Sequence, residues 1–100
     1  MHLTLSRCGG FAGIRTPPVT IDTRSLPRAR ALRVEALIAG ADFFQLPAVI
    51  AAKERQPDCF QYTLTITDDA GATHAVTLDE EAAPGPLLDL IRLVQRAARE

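Results

Sequence analysis

The sequence predicts an α+β fold: a two-layer ββαββα domain spanning residues 1–100, with an antiparallel four-stranded sheet and two helices packed on one face. Three observations carry this prediction. Phe60, Tyr62, Leu64 and Ile66 alternate without a break with Gln61, Thr63, Thr65 and Thr67, the period of a half-buried strand. Leu87, Leu90, Ile91, Val94 and Ala98 recur instead at helical spacing. The order of segments, strand, strand, helix, strand, strand, helix, then sets the helices against one side of a sheet built from hairpins.

The first strand rests on Leu3 and Leu5 alternating with Thr4 and Ser6, and it runs into the turn residues Gly9, Gly10, Phe11, Ala12 and Gly13. Residues 14–21 are rich in β-branched side chains (Ile14, Thr16, Val19, Thr20, Ile21). Pro17 and Pro18 cannot donate to a ladder, so this second strand must lie at an edge or break in its middle. Ser25 then reads as an N-cap and Pro27 as a first-turn residue of a helix that Gly40 ends. Leu26, Ala29, Leu32, Ala36 and Leu37 are expected on its inner face, with Arg28, Arg30, Arg33 and Glu35 toward water. Asp42, Phe43, Phe44, Gln45 and Leu46 form one further turn, capped by Asp42 and closed by Pro47, whose ring disfavours helical geometry at the preceding residue. A loop to Pro57 is expected next.

After the strand that begins at Phe60, Asp68, Asp69, Ala70 and Gly71 supply a hairpin turn, and His74, Val76 and Leu78 alternate on the return strand. The acidic run Asp79, Glu80 and Glu81 leads to Pro84, Gly85 and Pro86, where the last helix starts. Asp89, Arg92, Gln95, Arg96 and Arg99 are its solvated residues, with carboxylates ahead of its start and arginines near its end as the helix dipole favours.

Composition narrows the function. With 11 Lys+Arg against 12 Asp+Glu and a net charge of -1, the chain has no cation excess to neutralise a run of phosphates, and a nucleic-acid partner is not expected. Arg24, Arg28, Arg30 and Arg33 cluster, but on a helix where charge is ordinarily a solvated face. No apolar run approaches the roughly 18 residues that cross a bilayer. The first residues lack the basic and apolar pattern of a secretory signal, and with only Cys8 and Cys59 present a cytoplasmic setting with reduced thiols is expected.

Candidate chemistry is sparse. His2 and His74 are the two histidines, and no HExxH, CxxC or paired Cys/His spacing provides a metal shell. Cys8 with either histidine lacks a marked orienting third group, and a lone cysteine is more often a small buried hydrophobe. Cys8 and Cys59 facing each other across the sheet would form a disulfide only under oxidising conditions. Asp79, Glu80 and Glu81 read as carboxylates that solvate the turn or favour the helix N-terminus, rather than as a cation site. The glycine-rich loop lacks a P-loop lysine and is followed by β-like sequence, which argues against phosphate binding. No catalytic residue, cofactor, metal or small-molecule substrate is therefore expected, and a protein-binding role is.

Phe11 is the exception to this plain surface. An exposed phenylalanine forgoes about 1.5–3 kcal/mol of burial, so an aromatic set among glycines in a turn is either tucked beneath the loop or kept for a partner.

The run Arg7-Cys8-Gly9-Gly10-Phe11-Ala12-Gly13-Ile14, followed by Ala41-Asp42-Phe43-Phe44-Gln45-Leu46-Pro47, by Asp58-Cys59-Phe60-Gln61-Tyr62-Thr63-Leu64-Thr65-Ile66 and by Pro86-Leu87-Leu88-Asp89-Leu90-Ile91, resembles the emfourin family, the protealysin inhibitors. The resemblance spans nearly the whole chain, and its most specific element is the GGFAG loop. It implies a small bacterial inhibitor of thermolysin-like zinc metalloproteases of the M4 family, whose cleft would be blocked by Gly9, Gly10, Phe11, Ala12, Gly13, Ile14 and Arg15. Cys8 stands where a small polar residue is expected in the family. The other class of reading is a non-catalytic interaction domain with a different partner.

Overall fold

The structure is a computed structural model that describes residues 1–9, 14–15, 18–51 and 60–98. Its class is the expected one, α+β with two helices on a mixed sheet. The strands are β1 (His2–Gly9), β2 (Ile14–Arg15), β3 (Val19–Asp22), β4 (Val49–Ile50), β5 (Phe60–Thr67) and β6 (Thr73–Asp79), and the helices are α1 (Arg28–Gly40) and α2 (Gly85–Ala98).

Across the sheet the order is β2-β1-β5-β6-β4, with β3 also on β1. β2 and β3 share the position on the free side of β1, so six segments fill five places where the sequence predicts four. Cys8 pairs with Arg15, whereas Leu5 pairs with Val19. The outer chain thus takes one residue more than β1 between its two paired stretches, and Pro17 and Pro18 fall in that interval. This satisfies both consequences read from the prolines: the strand is at an edge, and it is broken. The fifth position is new. β4 lies in the stretch expected to be loop, and it pairs parallel to β6 with Val49 opposite Thr77 and Ile50 opposite Leu78.

Register explains the two faces. Rows such as Ile21, Leu3, Ile66 and His74, or Val19, Leu5, Leu64 and Val76, cross the sheet on the helix side. Leu3, Leu64, Ile66, Val76 and Leu78 are fully buried there beneath Leu87, Leu90, Ile91 and Val94 of α2. Each such side chain contributes about 1.5–3 kcal/mol relative to exposure. The opposite face is rich in threonine, and Thr63 with Thr77 and Thr67 with Thr73 form cross-strand hydroxyl pairs at 3.1 and 3.0 Å.

Several local expectations are corrected. Ser25 is not the N-cap of α1; it ends a short 3-10 turn, Thr23–Ser25, which Asp22 caps by accepting from the Arg24 amide at 2.9 Å. The helix itself starts after Pro27 without a side-chain cap. Its buried residues are Val34 and Ile38, while Leu32 is 55% exposed and Ala29 and Ala36 are exposed. Apolar residues surround most of this helix, so spacing alone selects no single stripe. Asp42 precedes the turn Phe43–Gln45 as expected, but in a left-handed conformation and with no side-chain cap; its carbonyl accepts from the Gln45 amide at 2.9 Å. In α2 the inward alanine is Ala97, and Ala98 is exposed.

Candidate functional site

Both ends of the predicted loop are fixed by β pairing. Gly9, the last residue of β1, faces Ile14, the first of β2, as a Cα partner, and Gly9 also faces Phe60 at the start of β5. Ile14, Gly9 and Phe60 therefore form the terminal row of the sheet at this end. The next row holds Arg15, Cys8, Gln61 and Asp79. Gly10, Phe11, Ala12 and Gly13 lie outside the described residues, so the structure positions the flanks Gly9, Ile14 and Arg15 and leaves the expected placement of Phe11 untested.

The same end of the sheet receives other segments. Because β4 runs parallel to β6, Ile50 and Asp79 both finish here, and the chain re-enters the sheet here at Phe60. Asp79 then leads into the 3-10 turn Glu80–Ala82, whose Glu80 Oε2 accepts from the Tyr62 hydroxyl at 3.4 Å. Tyr62 is buried, and Arg7 and Leu78 are its register neighbours, so this corner has a packed base under a polar rim. Asp79 is itself 4% exposed. Asp79 is therefore not a carboxylate that solvates the turn, whereas Glu80 is half-buried and Glu81 exposed. Sequence reasoning missed Asp79, Glu80 and Ile50 as companions of the loop; the alternation in β5 and β6 aligned Gln61 with Asp79, but the end reached by β4 depends on a parallel pairing that local pattern does not encode.

The remaining candidates do not converge. Cys8 is a free, half-buried thiol. It pairs with Gln61, whereas Cys59, its proposed disulfide partner, lies outside the described residues. His2 starts the strand that Cys8 nearly ends, six residues along an extended chain at about 3.3 Å per residue. His74 sits in the row of Leu3 near the opposite end of the sheet, where its Nε2 lies 2.8 Å from the Leu46 carbonyl and its ring meets Phe43 edge-on at 5.6 Å. Neither histidine reaches Cys8, so no Cys/His dyad forms among the described residues. Among the described residues no group of three or more His, Cys, Asp or Glu side chains is placed to hold a metal, and no helix is long and apolar enough to cross a membrane.

A family model for emfourin matches residues 5–95. The chain belongs to the emfourin family. The match extends from β1 almost to the end of α2 and so includes the hairpin flanks, both long strands and both helices. Emfourins are an inhibitor family, and membership points to a role in protease inhibition. No curated protein and no solved structure matches the chain.

Proposed function

We propose that this chain inhibits a thermolysin-like zinc metalloprotease of the M4 family by placing residues 9–15 in the active-site cleft. The family match supports the inhibitor role. The observation that carries the choice of segment is the pairing of Gly9 with Ile14, continued by Cys8 with Arg15, which holds the two ends of residues 10–13 side by side at the end of a sheet.

Thermolysin-like proteases prefer a large apolar side chain just after the scissile bond. Phe11 supplies one, and Gly9, Gly10 and Gly13 allow a backbone to lie close to an enzyme surface. A segment tethered at both ends loses less freedom on binding than a free peptide, and the same tethering resists the rearrangement that hydrolysis needs. The catalytic zinc is the protease's own, and this chain would contribute no ligand to it unless a loop carbonyl or an aspartate carboxylate reaches it. Both proteins would meet in the cytoplasm.

A fluorogenic peptide assay of a thermolysin-like protease, titrated with the purified chain, tests this reading. Stoichiometric or saturable loss of peptidase activity is expected. Full activity at a large excess of the chain would contradict it and leave a binding role toward another protein.

A further inference from the structure

We propose that the outer edge of β3 pairs with the same edge of a second copy of this chain, joining two sheets into one. Among the described residues β3 is bonded to β1 alone and lies at the margin of the sheet. The Thr23 amide donates to the Met1 carbonyl at 2.9 Å. Backbone groups in an antiparallel pair alternate in direction, so Val19 and Ile21 also face β1, whereas Thr20 and Asp22 direct theirs outward. An edge of this kind is a template for another strand, and Thr20 at its centre is exposed and uncharged.

The outward groups match a second copy in one register. With Thr20 on a two-fold axis, each Thr20 amide donates to the other Thr20 carbonyl, and each Asp22 amide donates to the Pro18 carbonyl of the other copy. Two groups on this edge are unavailable: Pro18 has no N–H, and the Asp22 carbonyl, at the N-cap of the turn Thr23–Ser25, accepts within that turn. In this register they fall opposite each other, so no donor or acceptor is left over. An unrelated strand would instead set a carbonyl against Pro18 and an amide against Asp22, which favours the self-pairing. The side chains agree. On the open face Thr20 meets Thr20, the kind of pair that Thr63 with Thr77 and Thr67 with Thr73 already form in this sheet. On the helix side Ile21 meets Val19, beside a hollow of about 440 Å³ walled in part by Ile21, Leu26 and Ala97. No charged side chain opposes its like across the axis, and a net charge of -1 per chain adds little repulsion. β1 runs in opposite directions in the two copies, which sets their residues 9–15 at opposite ends of the joined sheet. The pairing does not depend on the protease reading.

Sedimentation equilibrium of the intact chain, with no protease present, tests the proposal. The weight-average mass should rise from 10.8 kDa toward twice that value as the concentration approaches about 1 mM, since a short edge contact is weak. Thr20→Pro removes the outward amide and no bond to β1, and Thr20→Lys sets two ammonium groups against each other across the axis. Each should keep the parent circular dichroism spectrum and raise the dissociation constant at least about tenfold. Leu32→Lys and Val49→Lys, which charge the exposed apolar side chains of α1 and β4, should associate as the parent does. A chain that stays monomeric throughout, parent-like association of a folded Thr20→Lys, or loss of association in Leu32→Lys or Val49→Lys overturns the proposal.

Discussion

The ammonium group of Met1 donates to Oδ1 of Asp69 at 3.0 Å, tying the start of β1 to the turn between β5 and β6. Arg24 Nη2 reaches the same oxygen at 3.3 Å. The hydrogen bond from the N-terminal ammonium, and after it the one from Arg24, hold the Asp69 carboxyl below the ordinary aspartate range. A folded-state pKa below the unfolded one means that the unfolded chain binds the proton first as pH falls. The contribution is therefore present at neutral pH and fades from about pH 5 downward, until both states are protonated. Asp69 is exposed, so the effect is small. Asp69→Asn should lower the melting temperature slightly at pH 7 and converge on the parent as acidification protonates Asp69 in the folded state as well, as followed by circular dichroism across the pH range. A gap that widens on acidification would contradict the pairing.

Two glycines should respond to alanine in opposite directions. Gly71 has a φ of +91°, within a turn where Asp68 Oδ1 accepts from the amides of Ala70 and Ala72 at 2.9 and 2.8 Å. An L side chain is strained there, and Gly71→Ala should cost about 1 kcal/mol or more. Gly40 ends α1 with open space where a Cβ would point and no positive φ. Gly40→Ala should instead stabilise by about 0.5–1 kcal/mol through helix propensity and unfolded-state entropy. Urea denaturation of both variants measures the sign directly.

The orientation of α1 is open to a similar comparison. Ile38 is 4% exposed and Leu32 is 55% exposed. Ile38→Ala should cost about 2–5 kcal/mol, and Leu32→Ala about 0.5 kcal/mol or less. A larger loss in Leu32→Ala than in Ile38→Ala would mean that the helix presents the face read from its sequence spacing.

That contrast shows where the fold was legible. β5 and α2 each carry one apolar stripe at one period, so Tyr62, Leu64 and Ile66, and likewise Leu87, Leu90, Ile91 and Val94, were identified with their correct faces. In α1 the residues Ala29, Ala31, Leu32, Val34, Ala36, Leu37 and Ile38 point in nearly every direction, and tertiary packing made the choice. β4 is two residues long and exists only through a parallel partner distant in sequence, so nothing local announces it.

The candidate site divides along the same line. Glycines after a short alternating run indicate a turn at the end of β1, and the pairing of Gly9 with Ile14 agrees. The arrival of Ile50 and Asp79 at that same end is a property of the sheet as a whole.

If Phe11 is the side chain that a thermolysin-like protease accepts, the inhibition constant of Phe11→Ala will show it. Inhibition should weaken by at least about 2 kcal/mol, or roughly thirtyfold, with an unchanged circular dichroism spectrum. A well-folded Phe11→Ala chain that inhibits as tightly as the parent would contradict it.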